Sequence, residues 1–519
     1  MSLNEQYNSE DKLFPSQDFD SNSDNSERSK AKDVYQSTER KNPYISGTDR
    51  SQTTMFPSVV DDYVDDGNPV RFIEAFVESL NLVELGFTHS VPKFTGRPSY
   101  KPSDLLKLYI YGYLNKIRGS RQLAKQTQLN VEVYWLLKKV QPDFRTVSDF
   151  RKENTGALKK VCKEFTLFCK KFNLFGRELI AIDGSKFSSV NHNSKVITSG
   201  NLADLIKQID ENIEEYFVSL EKQDETEKSL EESNAEEIKS AISRLNEQKK
   251  SLTGLQDSLK ESGEKQIALT DPDCKKMRTG NQGIDMCYNV QIAVDSKHNL
   301  IVAHDVTSDG NDMNQLAPMS KQSKEILEVE SLDVTADKGY FKEEQIAECE
   351  DNNINCYIPT PDYSQNRSKG LFTYRDFIYD EKNDLYHCPG KEKLIRTTEE
   401  IKHGKLTGIY QTKACKTCKL KTKCTTSKIG RRINRTIYKD VIETMEKRMK
   451  ENPSIAQQRK SIVEHPFGTL KRTMGHGYFL MRGKEKVSAE MSLSELAYNM
   501  KRVMKIVGIT SLIKIINNL

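Results

Sequence analysis

Nowhere in the chain do apolar residues run on for the roughly 18 positions that a membrane-spanning helix needs, which excludes an integral helical membrane protein. The opening residues, MSLNEQYNSEDK, lack the basic stretch and apolar core of a secretion signal, so the expected compartment is the cytoplasm. Apolar residues are scarce, at 36% against 30% charged in a chain of 519 residues. That balance argues against a compact metabolic enzyme and for a soluble protein with long polar stretches. The length leaves room for about three or four domains, one of them interrupted by insertions. In a reducing compartment the ten cysteines are not expected to pair as disulfides, so their spacing is read for metal binding.

The formal net charge of +4 averages segments of opposite sign. Between Asp204 and Glu261 there are 16 acidic and 8 basic residues, whereas Ile401 to Leu519 holds 26 basic and 8 acidic ones. The second segment calls for a polyanionic partner.

Residues 1–60 are rich in Ser, Asn, Asp, Gln and Lys without periodicity, and are expected to form a disordered arm. From 61 to 175 apolar residues recur at helical spacing, as in FIEAFVESLNLVELGF and SDLLKLYIYGYLNKI, with Ser103 and Asp104 placed as caps. Within this helical N-terminal domain, KIRGSRQLAKQTQLNVEVYWLLKK reads helix, turn, helix, with Lys116, Arg118, Arg121 and Lys125 at the junction. Those residues could face a DNA groove, and an ordinary bundle with a solvated basic face fits them equally well. The texture then changes to short runs rich in Val, Ile and Ala: RELIAIDGSKF, YNVQIAVD, NLIVAHDVTSD, LDVTADKGY and INCYIPT. With helical segments after the third and fourth, they predict an α/β core over 176–519. Two insertions are expected in it, an antiparallel helical hairpin at 204–265 and a basic Cys-rich segment at 360–445.

Asp183 closes the apolar run LIAI, and Asp337 follows DVTA, so each is expected where a strand gives way to a turn at the carboxyl end of the sheet. Taken singly, an aspartate beside glycine is more often a turn residue. Two such carboxylates together repel unless a cation neutralises them, and magnesium, with manganese as a substitute, is the natural one.

In order along the chain, AIDGSK, YNVQIAVD, TADKGY and VEHPFGTLKR resemble the DDE transposases of bacterial insertion sequences, over about Phe72 to Arg502. DPDCKKM at Asp271 and the cysteines around Cys415 resemble, more narrowly, the branch called insertion-sequence family eleven eighty-two. The resemblance implies a ribonuclease H-like catalytic core with catalytic, magnesium-binding acids Asp183, Asp337 and Glu464. It implies a phosphate-binding Lys471, whereas the expected arginine is Lys460 with Arg459 beside it, and the expected tyrosine is Gln457. On a helix, positions 460, 464 and 471 fall near one face, with Phe467 and Leu470 toward the core. Pro466 predicts a kink or a new helix start beside Glu464.

Cys388, Cys415, Cys418 and Cys424 offer four thiolates for a structural zinc ion in an insert expected to have little core of its own; four reduced surface cysteines are the alternative. Lys413 to Lys439 holds ten basic residues and no acidic one, Arg431 and Arg432 among them, and points to DNA phosphates. Lys186, Arg472 and His192 are further candidates for the DNA-binding surface or the site. The leading expectation is a transposase that cuts element ends hydrolytically and joins the freed 3′ hydroxyl to double-stranded target DNA. It would act as a homodimer, associated with the nucleoid. A catalytically silent DNA-binding descendant and a nuclease that never joins are the alternatives.

Overall fold

The computed structural model describes residues 59–92, 98–191, 196–225, 232–263, 265–280, 283–361, 368–402 and 404–518. The arm expected at 1–60, apart from its last two residues, and His192 lie outside the described residues.

Helices come first. Helix α1 (Pro69–Glu78) starts at an Asn68 side chain that accepts from Val70 N, and it buries Val70, Phe72, Ile73, Phe76 and Val77. A short α2 (Leu82–Leu85) ends on Gly86 in the left-handed region. Helix α3 (Pro102–Leu114) is capped at Lys101 with Pro102 in its first turn, so Ser103 and Asp104 lie inside the helix rather than at its cap. Then come α4 (Ser120–Leu129), α5 (Val131–Leu136), α6 (Phe144–Glu153) and α7 (Thr155–Lys171). The Asn130 and Asp143 side chains cap α5 and α6.

The strands follow as β1 (Leu179–Ser188), a short β2 (Val196–Thr198), the helices α8 (Ser199–Glu225) and α9 (Glu232–Ser262), and a short β3 (Gln266–Ala268). Strands β2 and β3 pair antiparallel. Leu202 near the start of α8 and Leu259 near the end of α9 share a buried cluster with Ile267, so the two helices run antiparallel. Next are β4 (Lys275–Thr279), β5 (Gly283–Asp295), β6 (Ile301–Thr307), helix α10 (Leu316–Leu327), β7 (Leu332–Thr335), helix α11 (Glu343–Asp351) and β8 (Ile354–Tyr357). All five runs read as strands in the sequence are strands.

The sheet is ordered β4-β5-β1-β7-β8, with β6 also on β5. Strand β5 pairs antiparallel with β1, β4 and β6, while β1, β7 and β8 are parallel. A meander of long antiparallel strands followed by parallel ones through crossover helices is consistent with a ribonuclease H-like core.

Between β8 and the final helices lies a second, five-stranded antiparallel sheet: β9 (Ile378–Asp380), β10 (Leu385–His387), β11 (Lys393–Lys402), β12 (Lys405–Gln411), a one-turn α12 (Lys421–Cys424) and β13 (Ile433–Thr436). Phe377, Tyr386, Leu394, Tyr410 and Ile433 form its core. The expectation of an insert without much core is therefore wrong, because Tyr386, Leu394, Tyr410 and Ile433 on these strands pack together with Phe377 just before β9.

Four helices close the chain: α13 (Lys439–Glu451), α14 (Pro453–Gly468), α15 (Lys484–Val507) and α16 (Ile509–Asn517). Helix α15 is buried along most of its length and lies between the N-terminal helices and β6. There the Asn499 side chain accepts from Ile301 N at 2.9 Å and donates to Ile301 O at 2.8 Å. The DPD motif holds its start, with Asp271 accepting from Gly483 N at 3.0 Å and Asp273 from Lys484 N at 2.8 Å.

Among the junction residues, Lys116, Arg121 and Lys125 are exposed, but Arg118 is buried. Its guanidinium donates to Tyr478 O at 2.7 Å and Gly475 O at 3.1 Å, and stands 3.5 Å from the fully buried Glu490. A charge engaged in this way clamps the loop between α14 and α15 and does not face a DNA groove.

Candidate active site

Asp183 does not end its strand. Strand β1 continues five residues beyond it, paired with β5 from Ile180↔Asp295 through Ser188↔Cys287. On its other edge β1 pairs with β7 only at Leu179–Ala181, because β7 stops at Thr335. Asp183 and Asp337 thus both lie just past the carboxyl end of the parallel β1/β7 ladder, where the neighbouring backbone falls away. Asp337 begins a single 3₁₀ turn and accepts from Gly339 N at 2.7 Å; Asp183 accepts from Gly184 N at 2.9 Å.

The glycine after Asp183 serves close packing rather than a turn. A Cβ on Gly184 would stand 2.4 Å from Gln291 Nε2 and 2.6 Å from Asp312 Oδ1. Asp312, on the loop after β6, is a third acid that the sequence reading missed. Its Oδ1 accepts from Asn289 Nδ2 and Gln291 Nε2, both at 2.7 Å, and Lys186 Nζ lies 3.6 Å away. The Asn and Gln of YNVQIAVD therefore position an acid from another element. In sequence, Asp312 sits within SDGND, where its surroundings read only as a turn.

The electrostatics record the convergence. Burial pushes the Asp183 carboxyl up to about 6; Arg459 and the Gly184 N–H oppose the rise, and Asp337 and Asp312 add to it. The buried Tyr340 hydroxyl donates to Gln291 and lies among the same acids: burial first, then Asp312, Asp183 and Asp337, hold its proton on. Arg459 Nη1 approaches Asp183 Oδ2 at 3.5 Å. An oxygen-only set of partly buried carboxylates, with one of them disfavoured as an anion, suits a hard divalent cation.

Glu464 is exposed, and its ion pair is with Lys460 of its own helix at 3.6 Å. The chain touches β1 before and after this residue. Arg459 reaches Asp183, and beyond the helix Lys471 Nζ donates to Ser185 Oγ and Lys186 O, each at 2.6 Å. Pro466 starts no new helix: α14 runs through it to Gly468 and then widens into a π turn over Thr469–Thr473. Phe467 and Leu470 are buried as expected. Burial lowers the Lys471 ammonium to about 8, and its Nζ also lies 4.5 Å from the centre of the Phe187 ring. Burial likewise lowers Lys186, against the pull of Asp312. Arg472 is exposed.

In the insert, Arg431 and Arg432 line a cavity of about 650 Å³ with Arg375 and Lys439. The basic run is not wholly solvated: Arg435 is buried, pairing with Glu443 at 3.0 Å and stacking 3.6 Å from the Tyr379 ring centre. Cys388, Cys415, Cys418 and Cys424 line one small cavity, yet no three of their sulfurs lie within 4.8 Å of one another.

Fold and site together define a protein with acids gathered at the carboxyl end of a mixed sheet and a basic second sheet inserted before its last helices. Residues 387–504 match the family model described as a transposase DDE domain, and residues 58–153 match the one described as a transposase domain (DUF772). The first match takes in Glu464, Lys471 and the four insert cysteines; Asp183 and Asp337 precede it. No curated protein matches the chain. The matches support a transposase function and imply DNA as the partner. Among the described residues no helix is long and apolar enough to cross a membrane.

Proposed function

We propose that this protein is an insertion-sequence transposase of the branch named above, which cleaves the DNA ends of its element and transfers the freed 3′ ends into target DNA. The observation that carries the reading is the meeting of Asp183, Asp337 and Asp312 beyond the β1/β7 ladder, with Asp183 raised to about 6. Asp183 and Asp337 would hold the divalent ions, with Glu464 reaching in from α14 to complete the set. Bound there, magnesium or manganese supplies charge stabilisation at the attacking and leaving oxygens of the phosphodiester.

The chain's own groups do the remainder. Arg459 balances the acids until the cation arrives, and Lys186 and Lys471 fix the far half of β1 beside the scissile phosphate. Lys460 and Arg472, exposed on either side of Glu464, bind the flanking phosphates, and Arg431 and Arg432 extend the basic track across the insert. Cys388, Cys415, Cys418 and Cys424 hold a structural zinc ion in that insert, a reading supported by their common cavity. Two protomers act together on double-stranded DNA at the nucleoid, with residues 61–175 taking part in DNA recognition.

Removing divalent ions tests the reading. On a labelled fragment carrying the element's end, cleavage in magnesium is expected to vanish with chelator and return with manganese. Cleavage indifferent to chelator would overturn it.

A further inference from the structure

Cys162 on α7, His304 on β6 and Glu495 on α15 bring their donor atoms within 4.8 Å of one another. Among the described residues they are the one trio of Cys, His and acidic side chains gathered so closely. We propose that they form a zinc site, separate from the carboxylate centre, that staples the N-terminal helices to the sheet.

The chemistry of the donors selects the ion. A thiolate, an imidazole and a carboxylate are ligands that zinc accepts together, whereas magnesium and calcium favour oxygen alone. Burial matters as much, because Cys162 is 4% exposed and the Glu495 side chain 2%. On α7 and α15 their neighbours Leu158, Val161, Phe165, Leu493 and Leu496 are all buried and apolar. An acid set among such residues at a junction of three elements needs a cationic partner, which protonated His304 supplies and a metal ion would replace.

The ring of His304 is already oriented for ligation. Its Nδ1 faces Glu495, and its Nε2 lies 3.2 Å from Ser492 Oγ, which itself donates to Ser488 O at 3.1 Å. A hydrogen bond at one ring nitrogen that leaves the other for a metal is the usual arrangement at zinc sites. Burial and then the neighbouring Glu495 hold the proton on the Cys162 thiol, and His304 Nδ1 meets the same carboxylate, so the carboxylate is the centre of the trio. Zinc entering here displaces two protons to solvent, one from the thiol and one shared between His304 and Glu495, and replaces them with bonds to sulfur, nitrogen and oxygen. All three side chains line a cavity of about 380 Å³ together with Asp305 and Lys159. That cavity gives the ion a way in and leaves a fourth position for water.

Counting zinc in the full-length protein tests the proposal independently of DNA cleavage. After growth with zinc and dialysis, Cys162→Ser is expected to hold one zinc ion per chain fewer than wild type. Any zinc held by the insert cysteines is common to both and cancels. Chelation should lower the melting temperature of wild type more than that of Cys162→Ser. Equal zinc contents would overturn the proposal and leave a buried His304–Glu495 pair. Should Cys162→Ser fail to fold, Glu495→Gln, which keeps hydrogen-bonding capacity but removes the charge, is expected to bind this zinc at least about tenfold more weakly. Unchanged affinity in that variant would be equally fatal.

Discussion

Asp183→Asn is expected to lose DNA cleavage by at least about a thousandfold while making the metal-free protein more stable. The two effects have one cause. The folded carboxyl titrates near 6, against 3.8 for an unperturbed aspartate, because it is buried and faces Asp337 and Asp312. The protonated form therefore favours the fold. That contribution is whole below the unfolded value, fades as pH rises through 6 and is gone at neutral pH, where ionised Asp183 costs up to about 3 kcal/mol. The shift to about 6 is already net of the opposing Arg459 charge, and the asparagine amide oxygen can still accept from Gly184 N. Urea denaturation at pH 7 in chelator should accordingly show the variant more stable by about 1 to 2 kcal/mol. Magnesium should then stabilise wild type and leave the variant unmoved. A variant less stable than wild type in chelator would show that Asp183 is structurally satisfied as an anion, contrary to the site described.

The second large effect falls far from the acids. Arg118→Met is expected to destabilise the protein by about 3 to 5 kcal/mol, because it strands Glu490 as a buried charge. Glu490 keeps the backbone donors Leu480 N at 2.9 Å and Met481 N at 3.0 Å, with the buried Arg151 guanidinium as the remaining cation acting on it. The loop that loses its clamp carries Tyr478, which bridges to Ser188 at the end of β1 and lies 4.3 Å under the Arg118 guanidinium. The change should appear in thermal unfolding without DNA. Wild-type stability with weakened DNA binding would instead restore Arg118 to a DNA-facing surface.

Much of this arrangement was legible in the chain. Apolar runs ending in single aspartates marked β1 and β7, because a strand buried on both faces reads as a continuous hydrophobic segment. The hairpin of α8 and α9 was legible from its heptad-like apolar spacing, and the burial of Phe467 and Leu470 from helical periodicity. What escaped were relations between distant segments. Asp312 looks like a turn residue until Asn289 and Gln291 are seen to hold it, and Arg118 like a surface charge until Glu490 is placed beneath it. In sequence, strand β1 reads as ending at Asp183 because Gly184 has the local signature of a turn. Its real constraint, the approach of Asp312 and Gln291, is invisible to local spacing. The cysteines show the same limit: spacing drew attention to the insert, whereas Cys162 meets His304 and Glu495 only through the fold.

The account stands most directly on DNA cleavage and strand transfer by wild type and Asp337→Asn, using a labelled fragment with the element's own ends in magnesium. Cleavage followed by joining in wild type, with both lost in the variant, is the predicted result. Joining that survives Asp337→Asn would remove this residue from the centre, and wild-type binding without cleavage would contradict the transposase reading itself.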